Sequence, residues 1–349
     1  MTPEPVNIFP EYKRKAFYQE LIRQWIASPL SFFMRNCGGA TGEGSVYLEF
    51  NQFCEKIEQG LKEFYGEKVK IELQEIQKNN GVKLTGLLLT DEASNVAPAI
   101  YLEDFYKEYQ RKKEIGQIIL GIVRAYDNIK RHQKIDMDFF SDYNKVKDRV
   151  CFKLIHYERN RELLQQIPYI PYLTLAVVFY YAYENAALGK GTILIRHSQK
   201  EQWGISVEEL FGVATENTRR LFPPRVAGIR EVLTDMLGEK TEEEEPCLFS
   251  DMEEIPMYVL TNPDKMLGAA GLLYSDQLKR IADRLQSNLF ILPSSVHEVI
   301  LLPDCGEKPD TLQRMVMEVN DTQLAREEVL SDSVYYYDRS REKTEIVCE

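Results

Sequence analysis

The chain has 349 residues, of which 44% are hydrophobic and 28% are charged, and its formal net charge is −12. The proportions are those of a globular protein, and the length predicts two or three folded units rather than one core. The acidic excess argues against a general binder of nucleic acid or of anionic membranes, because either partner would be repelled.

The amino-terminal residues 1–48 predict an amphipathic helix followed by a flexible linker, NCGGATGEGS. The linker is rich in glycine but lacks the lysine and the hydroxyl residue that complete a phosphate-binding loop. The start of the chain also lacks the apolar segment of a signal peptide. The expected location is therefore the cytoplasm.

Residues 49–135 predict an α-β-β-(β)-α-α unit. Asn80 and Gly81 mark a tight turn between two alternating strands, which indicates a β-hairpin. The helix before the hairpin has apolar residues at helical spacing, which should lie on one face. These residues are Phe50, Phe53, Ile57, Leu61 and Phe64.

Residues 148–238 predict an α+β unit, in which Ser206 and Glu209 form a capping box that begins a helix. The acidic stretch 239–254 predicts a solvated loop or a boundary between units. Residues 255–338 predict a β-β-α-β-β-α unit with strands in MYVLT, AAGLLY, LFIL and HEVILL. The fold class is therefore α+β, with mixed, largely antiparallel sheets and packed helices in two or three units.

Six cysteines are scattered without a C-x-x-C pair, so neither a disulfide framework nor a zinc ribbon is indicated. The reducing cytoplasm expected above is consistent with this spacing. The longest uncharged stretch, residues 163–183, contains prolines and glutamines and favours a buried strand over a membrane span. No membrane association, metal or cofactor is predicted.

The stretch LPSSVHEVILLPD contains a His-Glu pair, as zinc proteases do. A zinc protease needs a second histidine one helical turn later, but Leu301 occupies that position. The β-branched residues between the two prolines favour a strand, in which His297 and Glu298 would point to opposite faces. The sequence therefore argues against a metalloprotease.

A weaker enzymatic hypothesis remains, a hydrolase in which His297 acts as general base near Ser294 or Ser295. The alternative is a histidine with a structural hydrogen bond. His156 and His197 end two predicted strands and would converge only if those strands are neighbours. No residue is assigned a catalytic role, and these five are the only candidates.

Two further surfaces have a possible binding role. The element order of the first unit is similar to that of double-stranded-RNA-binding modules, with basic residues Lys107, Arg111, Lys112 and Lys113 near its second helix. Acidic residues outnumber basic ones in this unit, so nucleic-acid binding is disfavoured.

The second surface is the run Tyr335, Tyr336 and Tyr337 near the end of the sequence. An exposed aromatic cluster is typical of a protein-interaction surface. Exposure of the three tyrosines would support a protein partner, and their burial would count against it.

Several long strings resemble a family of proteins from intestinal bacteria that is known only as a domain of unknown function. They include APAIYLEDFYKEY, TILIRHSQKEQWGISVEELFGVATENTRRLFPP, LPSSVHEVILLP and VLSDSVYYYDR. The resemblance covers about residues 50–338 and implies one continuous family region and a bacterial cytoplasm. It implies no activity, substrate or cofactor. The sequence thus favours an uncharacterised, non-enzymatic protein-interaction module, with the hydrolase and the RNA-binding protein as alternatives.

Overall fold

The computed structural model describes residues 47–90, 99–130, 140–185, 189–237 and 256–349. The predicted amino-terminal helix, the glycine-rich linker and the acidic loop lie outside these residues. The described residues form an α+β fold in which helices pack on three antiparallel sheets. The predicted fold class is confirmed.

The helices are numbered in chain order. They are α1 Phe50–Tyr65, α2 Leu102–Gln110, α3 Ile115–Lys130, α4 Tyr143–Val146, α5 Arg161–Leu164, α6 His197–Trp203, α7 Val207–Leu221, α8 Ile229–Leu237, α9 Ser275–Leu285 and α10 Pro309–Gln323. The strands are β1 Lys70–Gln77, β2 Lys83–Thr90, β3 Ala99–Tyr101, β4 Val150–His156, β5 Tyr169–Tyr172, β6 Leu175–Asn185, β7 Gly189–Leu194, β8 Arg225–Gly228, β9 Tyr258–Thr261, β10 Leu289–Leu292, β11 Val299–Pro303, β12 Val334–Asp338 and β13 Lys343–Cys348.

The first sheet has the order β1-β2-β3, and α1 and α3 pack against it. Phe53, Ile57 and Leu61 are fully buried, as the helical spacing predicts. Phe64 is an exception, because it continues the apolar face beyond the core and is 55% exposed. In chain order this stretch contains α1, β1, β2, β3, α2 and α3, and β3 pairs with β2.

The hairpin between β1 and β2 turns at Asn79–Gly81. Asn80 has φ 60° and Gly81 has φ 66°, a left-handed conformation that asparagine and glycine adopt with the least strain. The Asn-Gly pair therefore produces the predicted turn. Its tip extends beyond the first sheet and contacts β4.

The second sheet contains β4, β6 and β5 in that order, and β7 also pairs with β6. Its three predicted strands are present, and β5 is an addition. The predicted capping box of α7 is confirmed: the Glu209 backbone N–H donates to Ser206 Oγ at 3.1 Å, and the Ser206 N–H donates to Glu209 Oε2 at 2.8 Å. Both bonds satisfy donors that an uncapped helix would leave unpaired.

The third sheet has six strands in the order β13-β12-β10-β11-β9-β8. β8 and β9 pair across the acidic stretch of the sequence, so residues on both sides of it share this sheet. One hydrophobic cluster also joins the second and third sheets, with Phe152 and Phe179 from one and Leu301 and Tyr335 from the other.

Two strand predictions need correction. AAGLLY is not a strand, because Gly268–Leu273 forms a buried 3₁₀ helix. A short apolar run does not distinguish a strand from a buried helix, and here Gly268 lies too close to β9 for any side chain: a Cβ would be 2.5 Å from Thr261 Oγ1. HEVILL begins as a strand only at Val299, so His297 and Glu298 lie in the loop before β11.

Candidate functional site

His297 lies in the buried loop between β10 and β11 and is 5% exposed. Its Nδ1 accepts a hydrogen bond from the Leu267 backbone N–H at 3.2 Å, and its carbonyl accepts one from Thr261 Oγ1 at 2.9 Å. Its Nε2 lies 4.0 Å from Glu328 Oε1. The loop is thereby fixed to β9, to the 3₁₀ helix Gly268–Leu273 and to the segment before β12.

The chemistry of this imidazole follows from its partners. Because Nδ1 accepts a hydrogen bond, a neutral ring carries its proton on Nε2, which faces the carboxylate of Glu328. Ser295 Oγ accepts from the backbone N–H of His297 at 3.1 Å and not from its imidazole ring. Ser294 is 2% exposed and Ser295 is 1% exposed, and the Ser294 carbonyl accepts from Leu330 N at 2.7 Å. This geometry favours a structural role over a general base.

The other two histidines are not brought together. β4 and β7 pair with opposite edges of β6, so His156 and His197 lie on different sides of that strand. His156 Nδ1 accepts from the Arg159 backbone N–H at 3.2 Å, and burial lowers the pKa of its imidazole. His197 begins α6, and its N–H donates to the Gln166 carbonyl at 3.1 Å.

The tyrosine run occupies β12, between β10 and β13. Tyr335 and Tyr337 are 0% and 1% exposed, and Tyr335 is fixed by a 2.6 Å hydrogen bond between its hydroxyl and Thr174 Oγ1. The expectation of an exposed cluster is wrong for these two residues, because both point to the face of β12 that lies in the hydrophobic cluster between the second and third sheets. Only Tyr336 is partly exposed.

Tyr336 reaches the edge of a polar surface cleft with a volume of about 560 Å³. Its hydroxyl donates to Asp304 Oδ2 at 2.6 Å and accepts from Asn288 Nδ2 at 2.8 Å, and both partners line the cleft. The charge of Arg339 in the cleft is matched by Asp283, since Arg339 Nε donates to Asp283 Oδ1 at 2.7 Å. These internal bonds account for the polar lining of the cleft.

The basic residues near α2 are partly neutralised. Lys107 Nζ lies 2.9 Å from Asp104 Oδ1, and Lys113 Nζ lies 2.7 Å from Glu108 Oε2. Pairing within the same segment weakens the positive potential that a phosphate backbone requires. The geometry therefore adds no support to the RNA-binding hypothesis.

A different surface lies where α1 packs on α3. The two helices approach closely at Gly60, where a Cβ would collide with Cδ1 of Ile119. Phe64 follows Gly60 by one turn and Leu120 follows Ile119, and these two large apolar side chains are 55% and 48% exposed. The α1–α3 contact is thus flanked by uncovered apolar groups.

The outer face of the first part of α3 is uncharged. Gly116, Gln117 and Leu120 are exposed, and a Cβ added at Gly116 would meet nothing within 4 Å. No charged residue occurs between Glu114, just before the helix, and Arg124. An exposed helix normally carries a polar outer face, so this one has the character of a packing surface. We call Phe64, Gly116, Gln117 and Leu120 the α1–α3 surface.

Two absences concern only the described part of the chain. None of its helices has the length and apolar character needed to cross a membrane. Its histidine, cysteine and carboxylate side chains form no group of three or more that could hold a metal ion.

Residues 50–339 match the model of a family of unknown function, DUF5688. The chain belongs to this family. A comparison with curated proteins and a comparison with solved structures each gave no match. The family has no assigned activity, so function has to be inferred from the geometry above.

The α1–α3 surface was not anticipated from the sequence, although a signal was present. The uncharged run from Ile115 to Val123 is longer than one buried helical face requires. The isoleucine spacing predicts a buried face, but the sequence does not show what covers the opposite side.

Proposed function

We propose that the protein is a non-enzymatic protein-interaction module whose contact region is the α1–α3 surface. The observation that carries this proposal is the joint exposure of Phe64 and Leu120 beside one helix–helix contact. Burying apolar surface gives about 25 cal/mol per Å², so two such side chains form a useful centre for an interface.

The glycine on this surface supports helix packing in particular. The distance between packed helix axes depends on the side chains at the contact, and small residues allow a close approach. Gly116 lies one turn before Leu120 and has open space above it. A partner helix can therefore lie against α3 with Leu120 as the projecting contact.

The charges at the two ends of this surface favour a second copy of this chain as the partner. Consider two α3 helices that pack antiparallel with their Ile119 residues at the same height along the helix axis. Glu114 of each copy then lies at the same height as Arg124 of the other copy. The uncharged face is then buried between two acid–base pairs. A symmetric arrangement of this kind is the commonest one in homodimers.

Sedimentation velocity of the full chain, from about 1 to about 100 micromolar, tests the proposal over the range of ordinary dimer affinities. We expect the mass to rise towards a dimer with concentration. Leu120→Lys should weaken association at least about tenfold, because it places a charge in the interface. The matched control is Met317→Lys, since Met317 on α10 is a comparable apolar residue with 45% exposure and should leave association unchanged.

Three outcomes would contradict the proposal. A wild-type monomer at every concentration would remove the second copy as partner. A Leu120→Lys protein that dimerises like the wild type, or equal losses in both variants, would place the contact elsewhere.

We also propose a reducing bacterial cytoplasm as the location, as the family resemblance implies. Cys54 and Cys151 support it as buried free thiols, whose pKa values burial raises to about 11 and about 12. Thiols of this kind are typical of reducing compartments.

A further inference from the structure

The polar cleft beside Tyr336 lies where α9 ends, where β11 ends and where β12 turns into β13. Its volume of about 560 Å³ falls within the range of about 300–1,000 Å³ that is typical of small-molecule sites. Sites for apolar ligands are lined mainly by apolar side chains, whereas every residue that lines this cleft is polar or charged. The cleft therefore suits a small polar ligand.

A chain of hydrogen bonds fixes the lining of the cleft. The Arg339 backbone N–H donates to Asn288 Oδ1 at 2.9 Å. Asn288 Nδ2 donates to the Tyr336 hydroxyl at 2.8 Å, and that hydroxyl donates to Asp304 Oδ2 at 2.6 Å. Asp304 Oδ1 accepts from the Gly306 N–H at 3.1 Å. Because these bonds hold the polar groups in place before a ligand arrives, little ordering has to accompany binding.

These bonds do not use the whole hydrogen-bonding capacity of the lining. Arg339 Nε donates to Asp283 Oδ1 at 2.7 Å, but Nη1 and Nη2 of Arg339 have no hydrogen-bond partner among the described residues. Gln286 Nε2 donates to the Asp283 carbonyl at 2.6 Å. Within the same described part of the chain, Asp283 Oδ2 and Gln286 Oε1 accept no hydrogen bond. The cleft thus offers a planar pair of donors beside two acceptors.

The backbone of Gln286 supports a binding role for its side chain. Gln286 directly follows the last residue of α9 and has φ 52° and ψ 33°, a left-handed conformation. Glycine is the usual residue at this position of a helix, because a Cβ is strained there. Strained residues of this kind cluster at binding sites. Here the strained residue adds to the cleft an amide group that glycine would lack.

The charges of the cleft narrow the chemistry of its ligand. The carboxylates of Asp283 and Asp304 outnumber the guanidinium of Arg339, and the C-terminal end of α9 adds partial negative charge. A phosphate or carboxylate ligand would be repelled by this excess, and an amine would be repelled by Arg339. A neutral molecule with several hydroxyl groups meets neither obstacle, because each hydroxyl both donates and accepts.

We propose that this cleft binds a neutral polyhydroxylated molecule, a sugar or a cyclic polyol. Two hydroxyl oxygens on neighbouring carbon atoms accept hydrogen bonds from Nη1 and Nη2 of Arg339. The same hydroxyl groups donate to Asp283 Oδ2 and Gln286 Oε1. The cleft borders the third sheet, whereas the α1–α3 surface belongs to the first unit, so binding here does not depend on association of the chain.

Saturation-transfer NMR of the full chain tests the cleft with five neutral probes: glucose, galactose, mannose, maltose and myo-inositol. A concentration of about 10 mM exceeds the millimolar dissociation constants of weak ligands. We expect saturation transfer to at least one probe, and a titration of the strongest gives its affinity. Tighter binding of a sugar than of myo-inositol identifies a sugar as the ligand, and the reverse order identifies a cyclic polyol.

Two variants assign the binding to the cleft. Arg339→Lys keeps the charge but loses the planar pair of donors, so the affinity should fall by at least about tenfold. Gln286→Gly should weaken binding by at least about threefold without lowering the melting temperature, because glycine relieves the backbone strain. Arg341→Lys is the matched control and should keep the full affinity, since Arg341 is exposed in the same turn and pairs with Glu345 at 3.0 Å.

Succinate and butylamine serve as charged reference probes under the same conditions. The proposal is overturned if none of the five neutral probes shows saturation transfer, or if succinate or butylamine binds more tightly than all of them. It is also overturned if either Arg339→Lys or Gln286→Gly binds the strongest probe as tightly as the wild type.

Discussion

Asn80 and Asn160 bind each other through reciprocal hydrogen bonds. The Asn80 backbone N–H donates to Asn160 Oδ1 at 2.8 Å, and Asn160 Nδ2 donates to Asn80 Oδ1 at 3.0 Å. Asn80 Nδ2 donates in addition to the carbonyls of Arg326 and Val329, at 2.7 and 2.6 Å. One hairpin residue therefore connects the first sheet to segments next to the second and the third.

Replacing Asn80 should release this connection. Asn80→Ala removes the side-chain hydrogen bonds and places alanine at a positive φ, so we expect a loss of about 2–4 kcal/mol in the free energy of unfolding. Urea denaturation measures this loss. Asn80→Gly separates the two causes, because glycine tolerates the backbone conformation but also lacks the side-chain hydrogen bonds. Its unfolding free energy should exceed that of Asn80→Ala by about 1 kcal/mol, the cost of the backbone strain. An Asn80→Ala protein as stable as the wild type would show that these bonds do not hold the hairpin.

Gly268 should be intolerant of any side chain. A Cβ there would lie 2.5 Å from Thr261 Oγ1 and 2.6 Å from the His297 carbonyl, and both are buried. We expect Gly268→Ala to lower the unfolding free energy by about 1–3 kcal/mol through overpacking. Gly212→Ala is the control, because Gly212 is exposed on α7 and a Cβ there meets nothing within 4 Å. This substitution should stabilise the protein by about 1 kcal/mol. Equal effects of the two substitutions in thermal unfolding would contradict this packing.

Local signals explain which elements the sequence predicts. Asn80-Gly81 and the Ser206–Glu209 capping box act within a few residues, so their structures follow from sequence alone. The six residues of AAGLLY do not show a helical or strand period, and their 3₁₀ form depends on close contact between Gly268 and β9. That contact joins distant parts of the chain and leaves no local signal.

The same distinction between local signals and contacts among distant residues applies to the candidate sites. Tyr335 and Tyr337 are buried because their face of β12 packs in the hydrophobic cluster shared with the second sheet, which composition does not reveal.

The structural role of His297 Nδ1 as a buried acceptor can be tested by stability measurements alone. In His297→Asn the side-chain oxygen can replace Nδ1 as acceptor for the Leu267 N–H, whereas leucine at this position leaves that buried donor unpaired. We expect His297→Leu to lose about 1–3 kcal/mol more than His297→Asn in chemical denaturation. Equal stability of the two variants would contradict the structural role of Nδ1.

The lowered pKa of Lys153 predicts a pH-dependent stability difference. The unfolded lysine keeps its proton up to about pH 10.4, while the folded one loses it near 8, so the folded state gains stability as pH rises between these values. Lys153→Met should therefore exceed the wild type in stability at about pH 7, and the advantage should shrink by about pH 9.5. Thermal unfolding across this range measures it, and an advantage that grows with pH would contradict the assignment.

Hydrogen exchange read by mass spectrometry at low and high protein concentration tests the interaction surface most directly. If two copies associate through α3, peptides covering Ile115–Tyr126 should exchange more slowly at high concentration, while peptides from α10 around Met317 should not change. The same α3 protection should be absent in Leu120→Lys. Unchanged exchange of α3 at a concentration where the protein is dimeric would contradict the α1–α3 surface as the site of association.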